Sequence, residues 1–188
     1  MLFKKAIVLI LFGALATSLS CISDVDFNQA DELLLAPVIE SSIIHTEQAA
    51  SHFLENGNEL VVVRDSIGNI EIFEDEFVIN NLIRAELFFE VTNSINRSFS
   101  LQLNFLDENE EVQHTLTFDA DASPNGNDII TNYEENFEDD SLNALKTTRI
   151  IAVEIRLNPS DDGSMLDENS MGRVLLQSKG VFYLEIGT

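Results

Sequence analysis

The eight residues from Ser98 to Phe105 alternate between polar and apolar side chains without a fault. Successive side chains on a β-strand point to opposite faces, so one face of this segment is fully apolar and the other fully polar. The expected inward residues are Phe99, Leu101, Leu103 and Phe105. Because such a face must be covered by a second apolar layer, the pattern predicts half-buried strands in packed sheets.

The same period of two recurs along the chain from residue 37 onward. Two more strands are expected, with inward Ala85, Leu87, Phe89 and Val91 in Arg84 to Val91, and inward Val112, His114, Leu116 and Phe118 in Val112 to Phe118. The segments Asn93 to Arg97 and Asp107 to Glu110 are short and rich in turn-forming residues. We therefore expect these three strands to form a meander of hairpins.

Shorter segments complete the predicted strands, namely Val38 to Ile44, Leu60 to Asp65, Ile70 to Phe73, Arg149 to Leu157 and Val181 to Ile186. Helical signals are brief: Thr46 is expected to cap a turn that ends near Phe53, and Ser141 to cap a turn from Leu142 to Lys146. Many short strands with one or two short helices predict an all-β fold. The expected architecture is a two-sheet antiparallel β-sandwich, immunoglobulin-like, over residues 36–188, and the alternative is a barrel.

Charge excludes one class of partner. The chain has 10 Lys and Arg against 33 Asp and Glu, which gives a formal net charge of −23. Since binding to nucleic acid depends on cations that neutralise phosphates, no nucleic acid partner is expected. The hydrophobic fraction of 45% is high enough for a core, so the acidic composition does not indicate disorder.

The N-terminus has the pattern of an export signal. Lys4 and Lys5 precede an uncharged run from Ala6 to Leu15. A run of this length is typical of the apolar region of a signal peptide and is too short to span a bilayer. We therefore predict a signal peptide over residues 1–20.

Cys21, the only cysteine of the chain, comes directly after Ser18, Leu19 and Ser20. This segment resembles the lipobox of bacterial lipoprotein precursors, in the looser form found in small surface lipoproteins of Bacteroidota. The resemblance implies cleavage before Cys21 and a diacylglyceryl group on its thiol, so that the membrane is a partner through a lipid anchor only. The alternative is an ordinary secreted protein that is cut nearby.

The residues after Cys21 are expected to form an acidic tether over 21–35, followed by the sandwich. Asp24 and Asp26 resemble the surface-export signals of Bacteroidota lipoproteins, and the alternative is that they only solvate a linker. The implied location is the outer membrane, lipid-anchored, on the periplasmic or the cell-surface side.

Catalytic motifs are not found in the sequence. There is no His-Glu-x-x-His and no Cys-x-x-Cys, and no residue is assigned a catalytic role. His114 is expected to be a core or rim histidine, and His45 to belong to the strand before the predicted turn that contains His52. The alternative is a small surface hydrolase with a glycosidase-like pair of carboxylates.

Calcium is the one ion that the sequence suggests, and no other cofactor is expected. Oxygen-bearing side chains stand at every second position in one loop, at Asp119, Asp121, Ser123 and Asn125. This is the spacing of an EF-hand loop, although Pro124 replaces the glycine of that motif and Ile130 its final glutamate. A polar hairpin loop is the alternative. A second acidic loop follows Asn158, and the two loops could share an ion if they met at one end of the sandwich.

These observations predict a non-enzymatic, lipid-anchored envelope protein that serves as a binding or assembly module. Its partner is expected to be an envelope protein or polymer. The segments with room for contact are Asp119 to Asn127 and Asn158 to Met171, because loops held by a rigid sandwich are a common recognition surface. A calcium-stabilised adhesion module is a further alternative.

Overall fold

A computed structural model describes residues 34–68, 70–160 and 163–187, and residues 35–186 form one compact unit. The predicted signal peptide, the predicted lipidation site Cys21 and the tether up to residue 33 lie outside the described residues. The structure therefore allows the predicted sandwich domain to be compared with the observed fold.

Extended chain dominates the described residues. The strands are β1 Leu34–Leu35, β2 Val38–Ala49, β3 Leu54–Glu55, β4 Asn58–Glu59, β5 Val62–Gly68, β6 Leu82–Asn93, β7 Phe99–Leu106, β8 Val112–Ala120, β9 Ile129–Phe137, β10 Ile150–Leu157, β11 Arg173–Leu184 and β12 Ile186–Gly187. The helices are α1 Glu71–Glu74, α2 Glu76–Asn81 and α3 Asp139–Thr147, and Ala50–Phe53 forms one turn of 3-10 helix.

Eight of these strands form two four-stranded sheets. Sheet 1 has the order β2-β11-β6-β9, and sheet 2 has the order β5-β10-β7-β8. Every pair of neighbouring strands in these two sheets is antiparallel. The predicted all-β, two-sheet antiparallel sandwich with few short helices is confirmed, and the alternative of a barrel is not.

The two sheets pack face to face through the alternating apolar residues. The inward residues predicted on β7, Phe99, Leu101, Leu103 and Phe105, are all fully buried. Aromatic pairs join the sheets, with ring centroids 5.7 Å apart for Phe89 and Phe118. The matching pair of Phe105 and Phe137 has centroids 5.6 Å apart. The core is thus the layer that the period of two predicted.

The predicted meander is wrong in one place, because β6 and β7 do not form a hairpin. β6 lies in sheet 1 and β7 in sheet 2, so the segment between them crosses from one sheet to the other. Asn93 holds this crossing: its Nδ2 donates to the carbonyl oxygens of Arg97 at 2.8 Å and Asp121 at 2.7 Å. Its Oδ1 accepts the Ile95 N–H at 2.8 Å. β7 and β8 do pair as a hairpin, as expected.

Three local predictions also need correction. Ile70 to Phe73 is not a strand but leads into α1, where the buried Ile70 and Phe73 have helical spacing. Thr46 does not cap a helix; it lies buried within β2, and the helical turn begins only at Ala50. Ser141 is the third residue of α3 rather than its cap, and its Oγ accepts the Glu138 N–H at 3.0 Å.

Candidate functional site

The two acidic loops predicted from the sequence do meet at one end of the sandwich. Ala122 and Pro124 from the first loop and Pro159 and Ser160 from the second line one cavity of about 240 Å³. The crossing segment from Asn96 to Ser98 forms the remaining wall. The proximity that a shared site requires is therefore present.

Arg97 connects the second acidic loop to the crossing segment beneath the cavity. Its side chain is 5% exposed and forms an ion pair with Glu59. Its Nε donates to the Asn158 carbonyl at 3.0 Å, and its Nη1 donates to the Ser164 carbonyl at 3.3 Å. Glu59 Oε1 also accepts the Leu166 N–H at 2.6 Å. One guanidinium thus fixes the second loop to the crossing segment, which explains how loops without regular structure hold a defined cavity.

The four predicted calcium ligands have different environments. Asp119 lies on β8, and its Oδ1 is 2.6 Å from Ser100 Oγ, which is also 3.1 Å from Asn158 Oδ1. Asp121 and Asn125 are exposed. Ser123 is 1% exposed and donates its hydroxyl hydrogen to the Asn127 carbonyl. Within the described ranges, no three His, Cys, Asp or Glu side chains are arranged to hold a metal ion.

The three histidines lie apart and have different partners. His114 is half-buried on β8, with its ring 5.0 Å from Phe137 and its Nε2 3.1 Å from Glu135 Oε1. His45 lies in β2, as expected, with Nδ1 3.2 Å from Gln177 Nε2. His52 is in the helical turn, 2.7 Å from Gln48 Oε1. Each ring is therefore held by its own neighbour.

A larger concavity, the sheet 1 groove, lies on the outer face of sheet 1. Its volume is about 370 Å³, and it is lined by Ser42, Phe88, Phe89, Glu90, Asn132, Gln177, Ser178 and Lys179. A register shift between Ser178 and Lys179 places a bulge in the pairing of β11 with β2. Bulges bend a strand and redirect its side chains, and they are common beside binding sites.

Phe88 is the aromatic residue on the outward side of this groove. Lys179 lies opposite Phe88 in the pairing of β6 with β11, and its Nζ is 5.7 Å from the centroid of the Phe88 ring. On the other side, Glu134 of β9 is the cross-strand neighbour of Phe88. Glu86 and Glu90 precede and follow Phe88 by two residues on the same face of β6. The groove thus combines the Phe88 ring, the Glu90 carboxylate and the Lys179 ammonium. Glu86 and Glu134 lie beside Phe88 on the same face.

The same chemistry occurs a second time on this face. The Arg84 guanidinium carbon lies 4.1 Å from the centroid of the Tyr183 ring. Glu86 accepts the Tyr183 hydroxyl at 3.0 Å and forms an ion pair of 3.0 Å with Arg84. Two cations on this face, Arg84 and Lys179, each contact both an aromatic ring and a carboxylate, an arrangement that is electrostatically favourable.

The sequence did not identify the sheet 1 groove. The one available signal was an irregularity in a well-predicted strand: Phe88 is a large apolar residue on the side of Arg84 to Val91 that was expected to be polar. Lys179 could not be found in this way, because its position opposite Phe88 depends on the pairing of strands that are far apart in sequence.

Comparisons with known proteins do not assign a family. No protein-family model matches the chain, and no curated protein matches it. Among the described residues, no helix is both long and apolar enough to span a membrane.

Several solved structures align with the chain at low identity. A protein from Parabacteroides distasonis described as secreted aligns with 16% identity and a TM-score of 0.47, over 63% of this chain and 36% of its own. The VP2 subviral particle of infectious bursal disease virus aligns with 12% identity and a TM-score of 0.44, over 78% and 32%. Tailspike protein 4 of bacteriophage CBA120 aligns with 9% identity and a TM-score of 0.33, over 80% and 19%. The chain thus spans about a third of the length of the first two.

Proposed function

We propose that this protein is a non-enzymatic binding module of the cell envelope, and that the sheet 1 groove holds a cationic group of a partner protein. The observation that carries the proposal is the position of the Lys179 ammonium near the Phe88 ring, inside a rim of carboxylates. A lysine or arginine side chain of a partner has the chemistry to occupy the same position.

The charge of the molecule favours this class of ligand. With a formal net charge of −23, the protein attracts cationic segments over distances set by the ionic strength. Among the described residues, the Glu90 side chain, which lines the groove, has no hydrogen-bond or ion-pair partner. Glu134 has only a long contact of 3.4 Å from Asn136 Nδ2 among the described side chains. These two carboxylates are therefore available to a partner's cation.

The contacts that hold Lys179 in the groove are weak. Its side chain is 53% exposed, and its Nζ is 3.5 Å from Glu40 Oε2, so the ion pair is a surface contact. Surface pairs and exposed cation–π contacts each contribute at most about 1 kcal/mol. A partner that brings its own ammonium and buries the Phe88 ring can displace Lys179 at little cost.

The test is the affinity for a fluorescently labelled octalysine peptide, measured by anisotropy for the mature domain. Phe88→Ala is expected to weaken binding about twofold to fivefold, from a cation–π contribution of about 0.5–1 kcal/mol. The matched control is Phe77→Ala, because Phe77 is 53% exposed on α2 and lies outside the groove. Both changes leave the net charge untouched, so nonspecific attraction stays constant. Equal affinities for the two variants would contradict the proposal.

We further propose that Cys21 carries the lipid and holds the domain at the outer membrane. The support is the lipobox-like segment that ends in Ser20 and the uncharged run before it. Two or more acyl chains are needed for stable anchoring, and a diacylglyceryl-modified cysteine supplies them. Cys21→Ser, expressed in a lipoprotein-processing host, is expected to leave the membrane fraction, whereas Ser18→Ala should remain there. Membrane association of the Cys21→Ser variant would refute the anchor.

A further inference from the structure

The outer face of sheet 2 carries several polar side chains in neighbouring positions on its four strands. Strand registers place three polar rows across β5, β10, β7 and β8, and we call these rows the polar face. The rows are Ser66, Ala152, Asn104 and Thr115; Arg64, Glu154, Gln102 and Thr117; and Val62, Arg156, Ser100 and Asp119. No aromatic ring and no large aliphatic side chain other than Val62 belongs to these three rows. The next row on the same face is apolar and borders the polar face: Gly68, Ile150, Leu106 and Val112.

The polar face is electrically neutral, although the protein is strongly acidic. Glu154 is 19% exposed and lies between two arginines: Arg64 Nη2 is 2.9 Å from its Oε2, and Arg156 Nη2 is 2.7 Å from its Oε1. With Asp119 as the other acid, the formal charges of the face cancel. Most guanidinium N–H groups remain available, since Arg64 and Arg156 are 71% and 50% exposed.

The centre of the polar face is a fixed array of amides and hydroxyls. Asn104 Oδ1 accepts from Gln102 Nε2 at 3.0 Å and from Thr115 Oγ1 at 2.9 Å. These bonds orient both amides along β7. The side-chain atoms Gln102 Oε1 and Asn104 Nδ2 have no hydrogen-bond partner among the described residues, so one acceptor and one donor remain for a ligand.

We propose that the polar face binds a neutral, hydroxyl-rich polysaccharide chain. The polar face offers both hydrogen-bond donors and acceptors, has no formal net charge and carries no aromatic ring. A hydroxyl group donates one hydrogen bond and accepts others, so a chain that is dense in hydroxyls satisfies both kinds of group. An anionic polymer would gain little from a neutral face and would be repelled by the rest of the molecule.

A second copy of the chain fits this face less well. Four strands about 4.8 Å apart and about six residues long cover roughly 400 Å². This is about half of the roughly 800 Å² per partner that stable interfaces bury. Two copies would also bring their formal charges of −23 together. The area and the charge therefore favour a narrow, neutral polymer over a second copy.

The experiment is affinity electrophoresis of the mature domain in gels that contain dextran, galactomannan or xyloglucan, with alginate and polygalacturonate as carboxylated counterparts. The test variant is Gln102→Ala with Asn104→Ala. The matched control is Asn136→Ala, because Asn136 is an exposed amide on the outer side of sheet 1. Circular dichroism melting of each variant confirms that it is folded.

We expect at least one neutral polysaccharide to retard the wild-type domain, and the double variant to lose about tenfold in affinity while Asn136→Ala keeps it. Retardation by the carboxylated polymers alone, by none of the five, or equally for the double variant would overturn the proposal, as would a stable dimer in sedimentation. The octalysine assay separates this site from the sheet 1 groove: Phe88→Ala should weaken only octalysine binding, and the Gln102→Ala, Asn104→Ala double variant should weaken only polysaccharide binding.

Discussion

His114 on β8 and Glu135 on β9 join the edge strands of the two sheets, with Nε2 and Oε1 3.1 Å apart. On the opposite side of the sandwich, Thr46 Oγ1 of β2 donates to Asp65 Oδ2 of β5 at 2.6 Å. β2 and β5 are also edge strands. Both open sides of the sandwich are therefore closed by a polar contact between side chains, where the apolar core ends.

The first prediction concerns alkaline stability and Tyr133, whose hydroxyl donates to Glu135 Oε2 at 3.0 Å. Burial raises the pKa of Tyr133 above its usual value, and the hydrogen bond and negative charge of Glu135 raise this pKa further. The folded protein thus keeps this proton longer than the unfolded chain does, so the contribution is present below about pH 10 and is lost as the pH rises further.

Melting temperatures between pH 8.5 and 11.5 test this prediction. Tyr133→Phe should flatten the decline of the melting temperature at alkaline pH, and Glu135→Gln should flatten it in part because the carboxylate that raises the pKa is gone. Identical alkaline profiles for wild type and Tyr133→Phe would refute the assignment.

The second prediction concerns the buried pair of Arg97 and Glu59. Arg97→Met should lower the free energy of unfolding by about 3–5 kcal/mol, because it leaves the Glu59 carboxylate largely buried without its cation. Adding Glu59→Gln should recover part of this loss, since the amide oxygen can still accept the Leu166 N–H. Urea denaturation provides the measurement. A double variant less stable than Arg97→Met would show that the uncompensated charge is not the cause.

The third prediction compares two glycines with positive φ. A Cβ on Gly172, at φ +107°, would lie 2.6 Å from the Ser94 carbonyl oxygen, whereas a Cβ on Gly57, at φ +77°, would meet no atom within 4 Å. Gly57→Ala should therefore lower the free energy of unfolding by about 1 kcal/mol, because of the unfavourable backbone conformation alone. Gly172→Ala should lower it by about 3 kcal/mol, because a clash with the backbone is added to the unfavourable conformation. Urea denaturation of both variants measures the difference. Equal costs would mean that the Ser94 backbone moves aside easily.

The fourth prediction addresses calcium. Because the Ser123 hydroxyl is bonded within its own loop and Asp119 accepts from Ser100, we expect the melting temperature to be the same in EDTA and in about 1 mM calcium. A rise with calcium that Asp119→Asn abolishes would instead establish the predicted loop site. Magnesium at the same concentration is the control for a general effect of ionic strength.

Sequence periodicity predicted the strands that have an apolar inner face. The residues expected to point inward on β6 and β7 are all buried, whereas Val112, expected to point inward on β8, is 56% exposed. β9 was missed, because its inner positions include Thr131, Tyr133 and Glu135 rather than a run of apolar residues. At an open side of the sandwich the inner face meets solvent and a polar partner, so apolar alternation is not required there.

Local signals failed where tertiary contacts override them. Thr46 has the character of a helix cap, but it lies opposite Leu176 in the long pairing of β2 with β11. Turn-forming residues after β6 indicated a hairpin. Instead, the buried Asn93 side chain donates hydrogen bonds to the Arg97 and Asp121 carbonyls and stabilises a crossing from sheet 1 to sheet 2. For the candidate sites, the sequence analysis considered that the two acidic loops could meet at one end of the sandwich, and they do. The sheet 1 groove was not predicted, because it depends on the order of strands in the sheet, which no local sequence pattern encodes.

The position of β11 has a consequence for biogenesis. This strand follows the other seven strands of the two four-stranded sheets in the chain, yet it lies between β2 and β6 in the interior of sheet 1. A nascent chain that still lacks it has two strands without their shared neighbour, so sheet 1 cannot assemble from the first half of the polypeptide. Completion of sheet 1 therefore waits until β11 has left the ribosome and can enter between β2 and β6.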